Sequence, residues 1–187
     1  AGLMAERTAD GFGFRVDLDL RPDGSAGAPT MSLAAAEQHY LNFGRTWERA
    51  AWLKARVAAG DRALGEELLA VLEPFRYRRS LDFGTLEDLA VLRDRIASTA
   101  RRTPLNADLK RGPGGIRALE FLVQAQQLVW AGRDARVRAA GTMPALRSLA
   151  AAGLLTEGLD PAVLEADWRL LRAVEHRLQW PEEAQTQ

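Results

Sequence analysis

Phe12-Gly13-Phe14-Arg15-Val16-Asp17-Leu18-Asp19-Leu20-Arg21 alternates without a break. Phe12, Phe14, Val16, Leu18 and Leu20 fall on one face, and Gly13, Arg15, Asp17, Asp19 and Arg21 on the other, which is the period of a half-buried strand. Pro22, Asp23, Gly24 and Gly27 then end it with turn chemistry. Downstream, only residues 75–81 and 106–110 offer short extended stretches. A lone strand leaves a row of backbone donors and acceptors unpaired on each side, and a stable sheet needs about three or more members. The expectation is therefore a mainly α chain with an α+β remnant. Residues 1–24 would be what is left of a sheet whose other strands precede Ala1, packed as one unit with a helical region over 25–187. The strand edge so exposed is expected to be mobile, to pack on helices, or to pair with a second copy of the chain.

Working outward, helical patterns follow one another. Ser32 caps a predicted helix running to Phe43, with Gly44 as its stop. A second pattern covers residues 45–59, and Asp61 caps a third that ends before Pro74. Thr85 with Asp88 reads as a capping box ahead of Leu86, Leu89, Leu92 and Ile96. Further helices are predicted from Gly114-Gly115 to about Ala131, from Thr142-Met143-Pro144, and from Asp160-Pro161 to Pro181.

Composition narrows the classes of function. The 187 residues carry 25 basic and 25 acidic side chains, so the chain as a whole is not built to wrap nucleic acid or to cling to an anionic membrane. There is no cysteine, which removes disulfides, thiolate metal sites and cysteine nucleophiles, and only His39 and His176 remain for imidazole chemistry. No apolar run approaches the roughly 20 residues that cross a bilayer, and the expected compartment is the cytoplasm.

Two places offer chemistry. Asp17 and Asp19 lie on one side of the predicted strand, roughly 6.5 to 7 Å apart, a spacing that suits Mg²⁺ and metal-bridged phosphates. The plainer alternative is a solvated Arg-Asp-Asp-Arg face. The second place is Lys110-Arg111-Gly112-Pro113-Gly114-Gly115, followed by Arg117 and a helix start. Glycines let amides turn toward an anion, the helix end adds its dipole, and Lys110, Arg111 and Arg117 add charge. It lacks the Gly-Lys-Ser/Thr ending of a P-loop, and a plain glycine-rich loop is the alternative. The helix that follows is apolar around most of its axis, whereas Arg117, Glu120, Gln124 and Gln127 share an arc of about 80°. Glu120, one turn in, is the carboxylate best placed to look back at the loop. In the last helix Glu175 lies on the apolar arc and is expected to meet an arginine of a neighbouring helix.

Five motifs carry a resemblance: Phe14-Arg15-Val16-Asp17-Leu18-Asp19-Leu20-Arg21-Pro22, Thr46-Trp47-Glu48-Arg49-Ala50, Tyr77-Arg78-Arg79-Ser80-Leu81-Asp82-Phe83-Gly84, Leu109 to Arg117, and Val174-Glu175-His176-Arg177-Leu178-Gln179. In this order and spacing the chain resembles the bifunctional glutamine synthetase adenylyltransferase/adenylyl-removing enzymes over essentially its whole length. That family carries two nucleotidyltransferase domains. The Arg-Val-Asp form of the first motif, the Tyr-Arg-Arg segment and the closing Gln185-Thr186-Gln187 look more like the N-terminal copy, which removes AMP from a glutamine synthetase tyrosine by phosphorolysis.

The resemblance implies a truncated nucleotidyltransferase sheet at the N-terminal end and a helical bundle after it. It also implies an Mg²⁺-dependent three-carboxylate site in which Asp17 matches the third carboxylate and the other two lie upstream of Ala1. Phosphate or nucleotide binding is expected of Arg21, Lys110, Gly114, Gly115, Arg117 and Glu120, with ATP, or AMP/ADP plus phosphate, as substrates. Glutamine synthetase and the PII signal protein are the implied partners. Asp19 stands where the family usually has arginine, and Ala118 replaces the first glutamate of the family's Lys-x-Gly-x-Gly-Gly-Ile-Arg-Glu pattern. The chain alone is expected to be inactive. The competing expectation is a non-catalytic helical module that docks glutamine synthetase or PII.

Overall fold

The computed structural model describes residues 20–80, 83–102 and 108–179. Every regular element among them is helical, and no strand or sheet occurs. This overturns the expected α+β architecture with its nucleotidyltransferase sheet, and the chain is mainly helical. The strand pattern itself lies, except for its last two residues, outside the described residues, and Leu20 and Arg21 belong to a turn. Of the two other extended candidates, Phe75 and Arg76 sit in a helix and Leu109 and Lys110 in a turn. The physical reason is the one that made the lone strand awkward: alternation earns a sheet only when neighbouring strands satisfy its backbone, and the described residues supply none.

The chain divides into two compact units, residues 1–43 and 44–187. In the first, the Arg21 Nε and Nη2 donate to the carbonyls of Gly27 and Ser25 at 3.0 and 3.3 Å, clasping the turn that contains Pro22 and Gly24. Helix α1 (Leu33–Phe43) follows, with Ala35 N donating to the Ser32 hydroxyl at 3.2 Å as the cap predicts.

The second unit holds α2 (Thr46–Trp52), α3 (Arg62–Val71), α4 (Glu73–Arg76), α5 (Phe83–Arg102), α6 (Ile116–Trp130), α7 (Thr142–Ala151) and α8 (Pro161–Gln179). Helix α2 stops seven residues short of the predicted end. Its last turn is drawn tight, Ala55 N bonding to Trp52 O at 3.2 Å, and Arg76 Nε donates to the same carbonyl at 3.0 Å. Asp61 caps α3 as predicted, accepting from Leu64 N at 3.1 Å. Asp88 does not close a capping box with Thr85; α5 already begins at Phe83, and Asp88 accepts instead from the Thr46 hydroxyl at 2.6 Å.

Helix α6 is the hub, packed against α2, α5, α7 and α8. Leu119 and Val123 join Val137, Leu146 and Leu149 in one apolar cluster, while Leu128 joins Ala50, Leu53 and Leu89 in another. Each of the leucines and valines so buried contributes about 1.5–3 kcal/mol. At the C-terminal end of α6, Arg138 donates to the Ala131 carbonyl at 2.7 Å, pairs with Glu73 at 2.7 Å, and lies 4.4 Å over the Tyr77 ring. No helix among the described residues is long and apolar enough to cross a membrane.

Helices α7 and α8 are tied by Arg147, whose Nε donates to Glu165 at 3.0 Å, with Arg169 on the same carboxylate. The Arg147 hydrogen bonds hold the Glu165 carboxyl below the usual carboxylate range, against a smaller opposing effect of burial. A carboxylate with a depressed folded-state pKa contributes stability that is present above its unfolded pKa and lost as the pH falls through the folded one. Glu165→Gln is therefore expected to lower the melting temperature at neutral pH, with the gap to wild type closing on acidification through and below the usual carboxylate range. Melting curves across that range check this; a gap that does not change with pH would refute it.

Candidate functional site

The glycine-rich loop is closed by its own hydrogen bonds. The Asp108 carboxylate accepts from the amides of Lys110 and Arg111, both at 2.8 Å, and the Asp108 carbonyl accepts from Gly112 N at 2.8 Å. Gly115 N bonds to Gly112 O, Ile116 N to Leu109 O and Arg117 N to Lys110 O, each at 3.0 Å. The amides of Lys110, Arg111, Gly112, Gly115, Ile116 and Arg117 are thus engaged by the loop's own oxygens. What the loop offers outward is side chains. Gly115 is buried and starts α6, and Gly114 holds the left-handed φ of 69° that turns the chain into it.

The predicted site residues are partly brought together. Lys110, Gly114 and Arg117 stand exposed around the start of α6. Glu120, one turn deeper, pairs with Lys54 at 3.0 Å across to the end of α2 rather than with the loop. The rest of the polar arc is also spent on packing: Gln124 donates to the Ala50 carbonyl at 3.4 Å, and buried Gln127 donates to the carbonyls of Val137 and Ala139, both at 2.8 Å. Arg21 belongs to the other unit, where its guanidinium clasps the turn, and Asp17 and Asp19 lie outside the described residues. Glu175 does find an arginine, but it is Arg172 of its own helix, whose guanidinium also lies 3.3 Å from His176.

Two adjoining cavities line the same side of the second unit. The smaller, about 330 Å³, is walled by Trp47, Leu92, Ile96 and Thr99 and by three arginines, Arg95, Arg111 and Arg117. The larger, about 480 Å³, shares Trp47, Leu92 and Arg95 with it and adds Arg45, Thr46, Arg78 and Asp88. The sequence reading did not assign Arg95, Arg78 or Trp47 to a site. The signal for Arg95 was its spacing: with Leu92, Ile96 and Thr99 it marks one helical face that is apolar apart from the arginine and the threonine. Among the described residues no three His, Cys, Asp or Glu side chains come together to hold a metal ion, and Asp17, the expected Mg²⁺ ligand, lies outside those residues.

Comparison with known proteins agrees along the whole chain. Residues 1–71 match the family model described as glutamate-ammonia ligase adenylyltransferase, and residues 90–187 match that of GlnD PII-uridylyltransferase. Curated relatives named bifunctional glutamine synthetase adenylyltransferase/adenylyl-removing enzyme include those of Xanthomonas campestris pv. campestris strain B100, 49% identical, and Stenotrophomonas maltophilia strain K279a, 48% identical. Each alignment covers 100% of this chain and 20% of the relative. A Caulobacter vibrioides relative of the same description is 46% identical over 98% of this chain and 19% of its own. The chain thus spans about a fifth of the length of these relatives.

The loop's closure depends on the two glycines for different reasons. A Cβ on Gly115 would stand 2.6 Å from the Leu109 carbonyl oxygen and 3.0 and 3.1 Å from those of Gly112 and Lys110, all backbone atoms, whereas a Cβ on Gly114 would meet nothing. Gly115→Ala is expected to cost about 1–3 kcal/mol through overpacking, and Gly114→Ala about 1–2 kcal/mol through its φ alone. Denaturant titrations of both variants check this. A Gly115→Ala variant as stable as wild type would show that the loop is not held in this closed form.

Proposed function

Because the chain belongs to the family of bifunctional glutamine synthetase adenylyltransferase/adenylyl-removing enzymes, we propose that it works as part of an enzyme that controls glutamine synthetase by transferring AMP to, or removing it from, a tyrosine. The observation that carries this reading is the 46–49% identity to enzymes so named, over 98–100% of the chain. The N-terminal-copy character of its motifs favours removal. In that direction an oxygen of inorganic phosphate attacks the phosphorus of the AMP-tyrosine ester, the bond from phosphorus to the tyrosine oxygen breaks, and the phenolate leaves as ADP is released.

Such a reaction is one of positioning and charge neutralisation. We assign Asp17 to the Mg²⁺ site, with ATP, or AMP/ADP plus phosphate, as the substrates. Lys110 and Arg117 are assigned to holding phosphate charge, and Arg21, in the other unit, to the same kind of charge by its motif alone. Gly114 and Gly115 would set the loop's shape, and Glu120 would act through Lys54, fixing α2 against α6. Partners on this reading are glutamine synthetase and the PII signal protein. The match of residues 90–187 to the PII-uridylyltransferase family favours a second role for the helices, docking of PII or glutamine synthetase, alongside the catalytic reading.

The test incubates adenylylated glutamine synthetase with phosphate and Mg²⁺ and follows ADP. The 187-residue chain alone is expected to release none, a longer enzyme that includes it to be active, and the same enzyme with Asp17→Asn to be slower by at least roughly a thousandfold. Robust release by the chain alone, or an unimpaired Asp17→Asn enzyme, would overturn the assignment. Retained binding of glutamine synthetase without turnover in any form would favour the docking role.

A further inference from the structure

The smaller cavity is distinguished by its charge. Helix α5 contributes Arg95 on a face otherwise formed by Leu92, Ile96 and Thr99, Trp47 of α2 forms another wall, and Arg111 and Arg117 close it from the loop and the first turn of α6. Among the described residues no carboxylate lines this cavity. None of the three guanidinium groups hydrogen-bonds to, or pairs with, a described residue. Several other arginines do meet an acid: Arg93 pairs with Asp94, Arg136 with Asp134, Arg138 with Glu73 and Arg147 with Glu165. Basic and acidic residues are equal in number, so three arginines left together without a carboxylate are not the result of an acid shortage.

Three like charges around one space of about 330 Å³ repel one another, and an anion placed between them turns that repulsion into attraction. The positive end of α6, a helix of 15 residues, adds to the same field. A planar guanidinium donates in a fork that matches the oxygens of a phosphate, and a tetrahedral phosphate, unlike a planar carboxylate, accepts from three directions at once. The geometry points to a phosphate-binding pocket formed by Arg95, Arg111 and Arg117. This extends to Arg95 and Arg111 the phosphate role proposed above for Arg117. Because the amides of Lys110, Arg111, Gly112, Gly115, Ile116 and Arg117 are already bonded to Asp108 and to loop carbonyls, recognition here is mainly by side chains. The phosphate is either free inorganic anion or the phosphate chain of a nucleotide.

Isothermal titration of the 187-residue chain with inorganic phosphate, pyrophosphate and ADP separates these sources. It measures no turnover, so its outcome is independent of whether the chain takes part in adenylyl transfer. At least one of the three ligands is expected to bind. Arg95→Gln should weaken that binding about tenfold or more, and Arg93→Gln, two residues away on another face of the helix and paired with Asp94, should leave it unchanged. Equal binding of the inorganic anions and ADP assigns the pocket to free anion; binding of ADP alone assigns it to a nucleotide's phosphates. If Arg95→Gln loses its helical circular dichroism, Arg117→Gln takes its place with the same expected loss. No binding of any of the three, or a loss in Arg93→Gln equal to that in the pocket variants, would overturn the proposal.

Discussion

Burial of α6 from several sides at once is the constraint on which the arrangement of residues 44–179 depends. A helix that is apolar around most of its axis must be covered on most of it, and α2, α5, α7 and α8 do so. The few polar groups that remain must then be satisfied inside the packing. Gln127 bridges two carbonyls of the segment that leads to α7, Gln126 accepts from Thr156 N at 2.8 Å, and Glu120 pairs with Lys54. Leaving buried Gln126 or Gln127 without its partner would cost on the order of 1–3 kcal/mol. Glu120, Gln124, Gln126 and Gln127 thus fasten the hub to its neighbours.

That constraint also fixes the chemistry available at the start of α6. At Gly115 three carbonyl oxygens stand close to where a Cβ would be, because the chain entering the helix folds back on itself and uses up its own donors. Arg111 of the loop and Arg117 of the helix's first turn stand exposed and line the smaller cavity. The packing of α5 against α6 brings Arg95 to the same cavity, and α2 brings Trp47. Charge accumulates there because the backbone is committed elsewhere, and a helix end whose amides are engaged acts through its dipole and its side chains.

Local signals in the sequence were sufficient wherever structure is local. Ser32 and Asp61 cap the helices they were expected to cap, since a cap bond spans three residues and needs nothing else. The apolar circumference of α6 was legible for the same reason. What was not legible depends on partners far along the chain. Helix α2 ends at Trp52, where its carbonyl accepts from Arg76, 24 residues away, and Asp88 serves Thr46 across 42 residues instead of its own helix start. Likewise, the pairing of Glu120 with Lys54 and the convergence of Arg95 with Arg117 exist only once helices have packed. The sheet expectation erred in the opposite way: the alternation from Phe12 to Arg21 is a local pattern, most of it outside the described residues, but a sheet is a non-local object, and among the described residues none forms. Family resemblance was legible because several short motifs keep their order and spacing even where their roles depend on the fold.

The most direct test of this account is amide hydrogen exchange at the loop, read residue by residue by NMR on the 187-residue chain without added phosphate. If the loop is closed by its own oxygens, the amides of Lys110, Arg111, Gly112, Ile116 and Arg117 exchange slowly, like those inside α6, although Lys110, Arg111 and Arg117 lie at the surface. Exchange of these amides as fast as in an exposed turn, with protection appearing only when phosphate is added, would contradict it and return the loop to the role of an open backbone cradle.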